Sequence, residues 1–203
     1  MINKMAPMSE EKEREQEQCI QDARSFIRYG DYDLAISVLF DVLNSKASLK
    51  QKVTAHKLLC QCYRKTEEYS LALLHINRAL TLNSKANLNE EVKEEHAICL
   101  MNKGIVFETQ GKYKDAIACY QPAIRIFHEL FEEHQESHGV IINALLTLGS
   151  CYEKSGNLKL ALDTYRRCLL YFHENKENDR RYLALVGTIN ELNNVFNTDS
   201  SLR

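Results

Sequence analysis

Apolar residues return every three or four positions along this chain, in runs separated by short polar breaks, which is the signature of amphipathic helices. A charged stretch at 10–18 (Glu, Lys, Arg and Gln, all good helix formers) leads into Cys19, Ile20, Ala23, Phe26 and Ile27, predicting a first helix over about 10–29. Gly30-Asp31 breaks it. A second helix ends near 44 and carries Leu34, Ala35, Val38, Leu39, Val42 and Leu43. The same reasoning predicts helices over about 49–66, 68–82, 90–110, 112–133, 137–155, 157–174 and 180–196. Pro122 falls inside the sixth, where a kink is expected, because the apolar pattern continues through Ala123, Ile124, Ile126 and Phe127.

The breaks resemble one another. Gly30-Asp31-Tyr32-Asp33-Leu34-Ala35, Glu67-Glu68-Tyr69-Ser70-Leu71-Ala72, Gly111-Lys112-Tyr113-Lys114-Asp115-Ala116 and Gly156-Asn157-Leu158-Lys159-Leu160-Ala161 each join two helical patterns. Aligned on the alanines, the offsets are 37, 44 and 45 residues. Twelve positions earlier stand the small residues Ala23, Cys60, Gly104 and Gly149, and nine earlier the aromatics Phe26, Tyr63, Phe107 and Tyr152. Leu39, Ile76, Tyr120 and Tyr165 follow the alanines by four, and Val42, Ala79, Ala123 and Cys168 by seven. Antiparallel helices approach closely where one offers a small side chain. A single hairpin cannot bury its own apolar face, so hairpins must stack. Glycine at 30, 111 and 156 allows positive φ at the turn; Glu67 lacks that freedom, so the second turn is expected to differ.

These residues resemble the tetratricopeptide repeat (TPR) family. The third unit supplies Leu100, Gly104, Phe107, Gly111, Tyr113, Ala116, Tyr120 and Ala123, and the fourth Leu145, Leu148, Gly149, Tyr152, Gly156, Ala161 and Tyr165. The intervals exceed the family's 34 residues, and the family proline late in the second helix is missing, as in scaffolds with lengthened repeats such as kinesin light chain. The resemblance implies an all-α, right-handed superhelical solenoid of antiparallel helix pairs, about nine helices in all. Its expected domains are a loose or partly helical segment at 1–15, four helix pairs with a C-terminal capping helix over 16–196, and a frayed tail at 197–203. The capping helix carries Leu183, Val186, Ile189, Leu192 and Val195.

The same resemblance implies a concave groove, lined by the first helix of each pair, that holds a partner peptide or helix. Carried over residue by residue, the groove would present Arg24 and Arg28, then Lys57, Gln61 and Lys65, then Met101, Ile105 and Thr109, then Leu146, Ser150 and Lys154. That makes a basic half and a more apolar half, suited to a protein or peptide partner with acidic and apolar segments. The family's clamp for a C-terminal carboxylate (Lys, Asn, Asn, Lys, Arg) is absent, since the aligned positions are Ile20, Arg24, Leu58, Ile98 and Asn102.

Charge and composition narrow the alternatives. The 203 residues hold 26 Lys and Arg against 28 Asp and Glu, for a net charge of −2, so no global field draws the chain to nucleic acid. An RNA-binding helical repeat would need a continuous basic face, and here the charges are interleaved. No nucleotide-binding, metalloprotease or nucleophile-elbow motif is present, and no catalytic residue or cofactor is expected. Seven cysteines, none in a CxxC pair, read as small buried thiols of a reducing compartment. His128, His134 and His138 near Glu129, Glu132, Glu133 and Glu136 offer no convincing third metal ligand, so no metal is expected. No run is long enough to span a membrane, and no targeting segment is recognised. The expectation is a non-enzymatic protein-binding scaffold or adaptor in the cytoplasm, with nuclear, cytoskeletal or ciliary association left open. Its main alternative is a structural subunit packed through its outer faces or ends in a larger assembly; homo-oligomerisation is left open.

Overall fold

The structure is a computed structural model and describes residues 10–86, 89–131, 138–172 and 179–201. Every regular element among them is a helix: α1 (Glu10–Tyr29), α2 (Tyr32–Asn44), α3 (Leu49–Lys65), α4 (Tyr69–Ser84), α5 (Glu90–Thr109), α6 (Tyr113–Phe131), α7 (His138–Lys154), α8 (Leu158–Leu169) and α9 (Arg180–Ser201). The all-α expectation therefore holds for the described residues. α6 runs unbroken through Pro122. α9 continues to Ser201, past the expected end at 196. Asn, Thr, Asp and Ser are only modest helix formers, but extending an existing helix needs no new nucleus.

Two compact units divide the chain, Met1–Val106 and Phe107–Arg203. In the first, α1 packs on α2, α2 on α3 and α3 on α4 as antiparallel neighbours, and α1 also touches α3. That last contact stacks one hairpin on the next. In the second, α6 packs on α7, α7 on α8 and α8 on α9.

The repeat columns form the core. Ala35, Ala72, Ala116 and Ala161 are fully buried, as are Leu39, Ile76, Tyr120, Val42, Ala79, Ala123 and Cys168. In the first unit Ile20, Ala23, Leu59, Cys60 and Cys62 complete one continuous apolar cluster with them. In the second, Gly149 is a notch in the literal sense: a Cβ there would lie 2.3 Å from Cε1 of Tyr165.

All four turns close in the same way. The residue after the helix takes positive φ: Gly30 at 88°, Glu67 at 64°, Gly111 at 71° and Gly156 at 79°. The amide of each donates three residues back, to the carbonyls of Ile27, Arg64, Glu108 and Glu153. The next amide donates five residues back, to Phe26, Tyr63, Phe107 and Tyr152, the aromatic column. This paired bonding is the Schellman motif, which satisfies carbonyls that a helix end would leave orphaned. The expectation that the second turn would differ for want of a glycine is therefore corrected: it closes as the other three do. The bonds and the packing around them hold Glu67 in a left-handed conformation that costs an L-residue about 1–2 kcal/mol.

Candidate protein-binding surface

The first helix of the second pair is held in place by its own bonding. Ser48 opens α3 with a reciprocal cap: its hydroxyl accepts from the Gln51 amide, and the Gln51 side-chain oxygen accepts from the Ser48 amide. Gln51 is buried, and its Nε2 donates to the carbonyl of Glu13 at 3.1 Å. One side chain therefore caps α3 and ties it to α1.

Within the first unit, α1, α3 and α5 enclose a pocket of about 210 Å³. Its lining includes four of the expected groove residues: Arg24, Lys57, Gln61 and Ile105. It also includes Thr54, Cys60, Arg64 and Asn102, with Leu58 and Ile98 as apolar floor. Arg28 and Lys65 are exposed outside this lining, and Met101 is half-buried on α5. In the second unit Leu146 and Ser150 are half-buried on α7, Thr109 is exposed at the end of α5, and Lys154 is exposed at the end of α7.

Two of the expected cations are already paired. Lys57 Nζ lies 2.5 Å from Glu95 Oε2 on α5, with both side chains largely buried. Lys154 Nζ lies 2.6 Å from Glu108 Oε1. Glu108 also accepts from the hydroxyl of the fully buried Tyr120 at 2.7 Å, and burial first, then this bond, raises the Tyr120 pKa. The hydrogen bond to Glu108 raises the Lys154 pKa. Their charge is therefore committed within the fold. Arg24 and Arg64 form no ion pair or side-chain hydrogen bond among the described residues, and they leave the pocket with uncompensated positive charge. Arginine suits such a site because its planar fork matches a carboxylate.

Five of the seven thiols are held in the unreactive, protonated form. Burial pushes Cys60, Cys99 and Cys168 up to about 12, and Cys62 and Cys151 up to about 11. Reactive cysteines require the opposite shift. Cys151 and Cys168 sulfurs point at the carbonyls of Tyr113 and Ile142, so they act as small packing groups. His128 and His138 meet Tyr171, the former through its Nδ1 at 2.8 Å from the phenol oxygen. His134 lies outside the described residues. Among the described residues no group of three or more His, Cys, Asp or Glu could hold a metal ion, and no helix is long and apolar enough to cross a membrane.

Comparison with known proteins agrees with the helical-repeat fold. Residues 96–170 match the family model described as tetratricopeptide repeat. Comparison with curated proteins returns no match. Among solved structures, BtubC (BKLC) from P. vanneervenii is 16% identical with a TM-score of 0.69, over 96% of this chain and 88% of that one. A protein of nearly identical TPR-like repeats from Podosopora anserina, described as kinesin light chain, is 12% identical with a TM-score of 0.73, over 92% and 89%. The apo form of RapI is 16% identical with a TM-score of 0.72, over 91% of this chain and 65% of its own. The chain therefore has a TPR-like helical-repeat fold, with tetratricopeptide repeat sequence matched over residues 96–170.

Proposed function

We propose that the chain is a non-enzymatic protein-binding scaffold that seats a segment of a partner protein against α1, α3 and α5. The carrying observation is the pocket in which Arg24 and Arg64 stand uncompensated beside Leu58, Ile98 and Ile105. Such a site suits a segment that offers an Asp or Glu next to an aliphatic side chain. The charges set register and encounter rate, and the apolar contact supplies most of the affinity. Arg28 and Lys65 extend the basic character beyond the pocket.

The test is quantitative affinity capture with the intact chain and with the Arg24→Glu/Arg64→Glu variant. A defined set of proteins should fall at least tenfold in the variant's capture while the variant keeps its helical signal and melting temperature. Identical capture by both would remove this pocket from the account. It would favour packing through outer faces or ends, a reading that the exposed Leu170 and Leu183 near the C-terminal helix also support.

A further inference from the structure

A second concavity lies in the first unit, on residues that the arginine pocket does not use. α2, α4 and the start of α3 enclose about 560 Å³ lined by Phe40, Leu43, Leu74 and Leu82, with Lys52 and Arg78 among them. Leu74 is 43% exposed, which leaves a large aliphatic side chain facing solvent in a channel where Phe40, Leu43 and Leu82 stand among the neutral polar Asn44, His56, Asn77 and Thr81. The volume falls within the range of pockets that bury a ligand.

Charge identifies the kind of occupant. No carboxylate lines this groove. Three lysines of α3 show the contrast: Lys50 pairs with Glu91 and Lys57 with Glu95, both on α5, whereas Lys52 faces the other way. Neither Lys52 nor Arg78 has an ion pair or side-chain hydrogen bond among the described residues. A channel that sets Phe40, Leu43, Leu74 and Leu82 beside two uncompensated cations is complementary to an amphipathic helix whose aliphatic stripe is bordered by acidic residues.

We propose that the α2/α4 groove is a second docking surface, which takes an amphipathic helical segment of a partner protein with aliphatic side chains at i and i+3 or i+4 flanked by Asp or Glu. This surface is separate from the arginine pocket, so one chain can hold two partner segments. Leu74 fills one side of the groove against the segment's aliphatic stripe, and Arg78 meets its acidic border.

Fluorescence anisotropy with three labelled peptides tests this on the full chain: a Leu/Glu amphipathic helix, the same peptide with Lys for Glu, and a shuffled Leu/Glu sequence. The Leu/Glu helix should bind at least tenfold tighter than either control. Leu74→Lys and Arg78→Glu, both exposed and checked for folding by circular dichroism, should each weaken it about tenfold. Arg24→Glu/Arg64→Glu should leave it unchanged, which separates this groove from the arginine pocket. Equal binding of the three peptides, or loss in the Arg24/Arg64 variant alone, would overturn the proposal. So would self-association of the free chain that Leu74→Lys abolishes, since a second copy would then be the occupant.

Discussion

Two buried histidines illustrate how much a single position can carry. His56 and His75 place their Nδ1 atoms 2.9 Å apart, so one ring donates and the other accepts, and a second proton between them has no place. Tyr63 stacks on His75 with centroids 5.4 Å apart, and Phe40 meets it edge-on at 5.7 Å. Burial first lowers both rings to about 4; His75 and then Arg78 add to the effect at His56, and Arg78 adds to it at His75. A depressed histidine binds its proton more readily in the unfolded chain. Stability is therefore fully present above the unfolded value near 6.5 and is lost as pH falls toward 4, by up to about 1.4 kcal/mol per pH unit for each ring. Thermal melts at pH 7 and pH 5 should show a clear drop for the native chain and a smaller one for His56→Asn/His75→Asn. At Glu67, relief of the left-handed strain outweighs the added freedom of an unfolded glycine. Glu67→Gly should therefore raise stability by about 0.5–1 kcal/mol in urea denaturation. Gly111→Ala, where an added Cβ meets nothing within 4 Å, should lower it by about 1 kcal/mol through backbone conformation alone.

At the scale of the helix pair, the residue in the first helix and its counterpart in the second vary together. Ala23 goes with Leu39, Cys60 with Ile76, Gly104 with Tyr120 and Gly149 with Tyr165. Where the first helix has a glycine, the second has a tyrosine, and its hydroxyl reaches a glutamate twelve residues earlier: Glu108 for Tyr120, Glu153 for Tyr165. Gly149→Ala should cost about 1–3 kcal/mol or more, because the added carbon meets the ring and not a flexible chain end. In Gly149→Ala/Tyr165→Leu the loss should be smaller than the sum of the two single losses, as urea denaturation of the four-member cycle would measure. These columns were legible from the sequence because burial on a helix pair demands fixed spacing. The turn at Glu67 was not, because the bonds and packing that hold it are absent from a local reading.

For the molecule as a whole, the class of fold could be read from periodicity, and the pocket only in part. Stepping by four along α3 selects Lys57, Gln61 and Lys65, but a helix turns about 100° per residue, so Lys65 lies about 80° from Lys57 and Arg64 only about 20°. The structure accordingly puts Arg64 in the lining and leaves Lys65 out. The same drift on α5 selects Ile98, Asn102 and Ile105 rather than Met101, Ile105 and Thr109. The partners of Lys57 and Lys154 were also hidden, since Glu95 lies 38 and Glu108 46 residues away in sequence. The two arginines left over are what turns a generic helical repeat into a specific claim about recognition. Site-directed photocrosslinking tests that claim most directly, with a photoreactive residue replacing Gln61 beside the arginines and, as control, replacing exposed Ser70 on α4. The account predicts that the probe at 61 joins a partner through a segment holding an Asp or Glu, that Arg24→Glu/Arg64→Glu removes the adduct, and that the probe at 70 does not form it. An adduct from position 70 and none from 61, or one indifferent to the arginines, would contradict it.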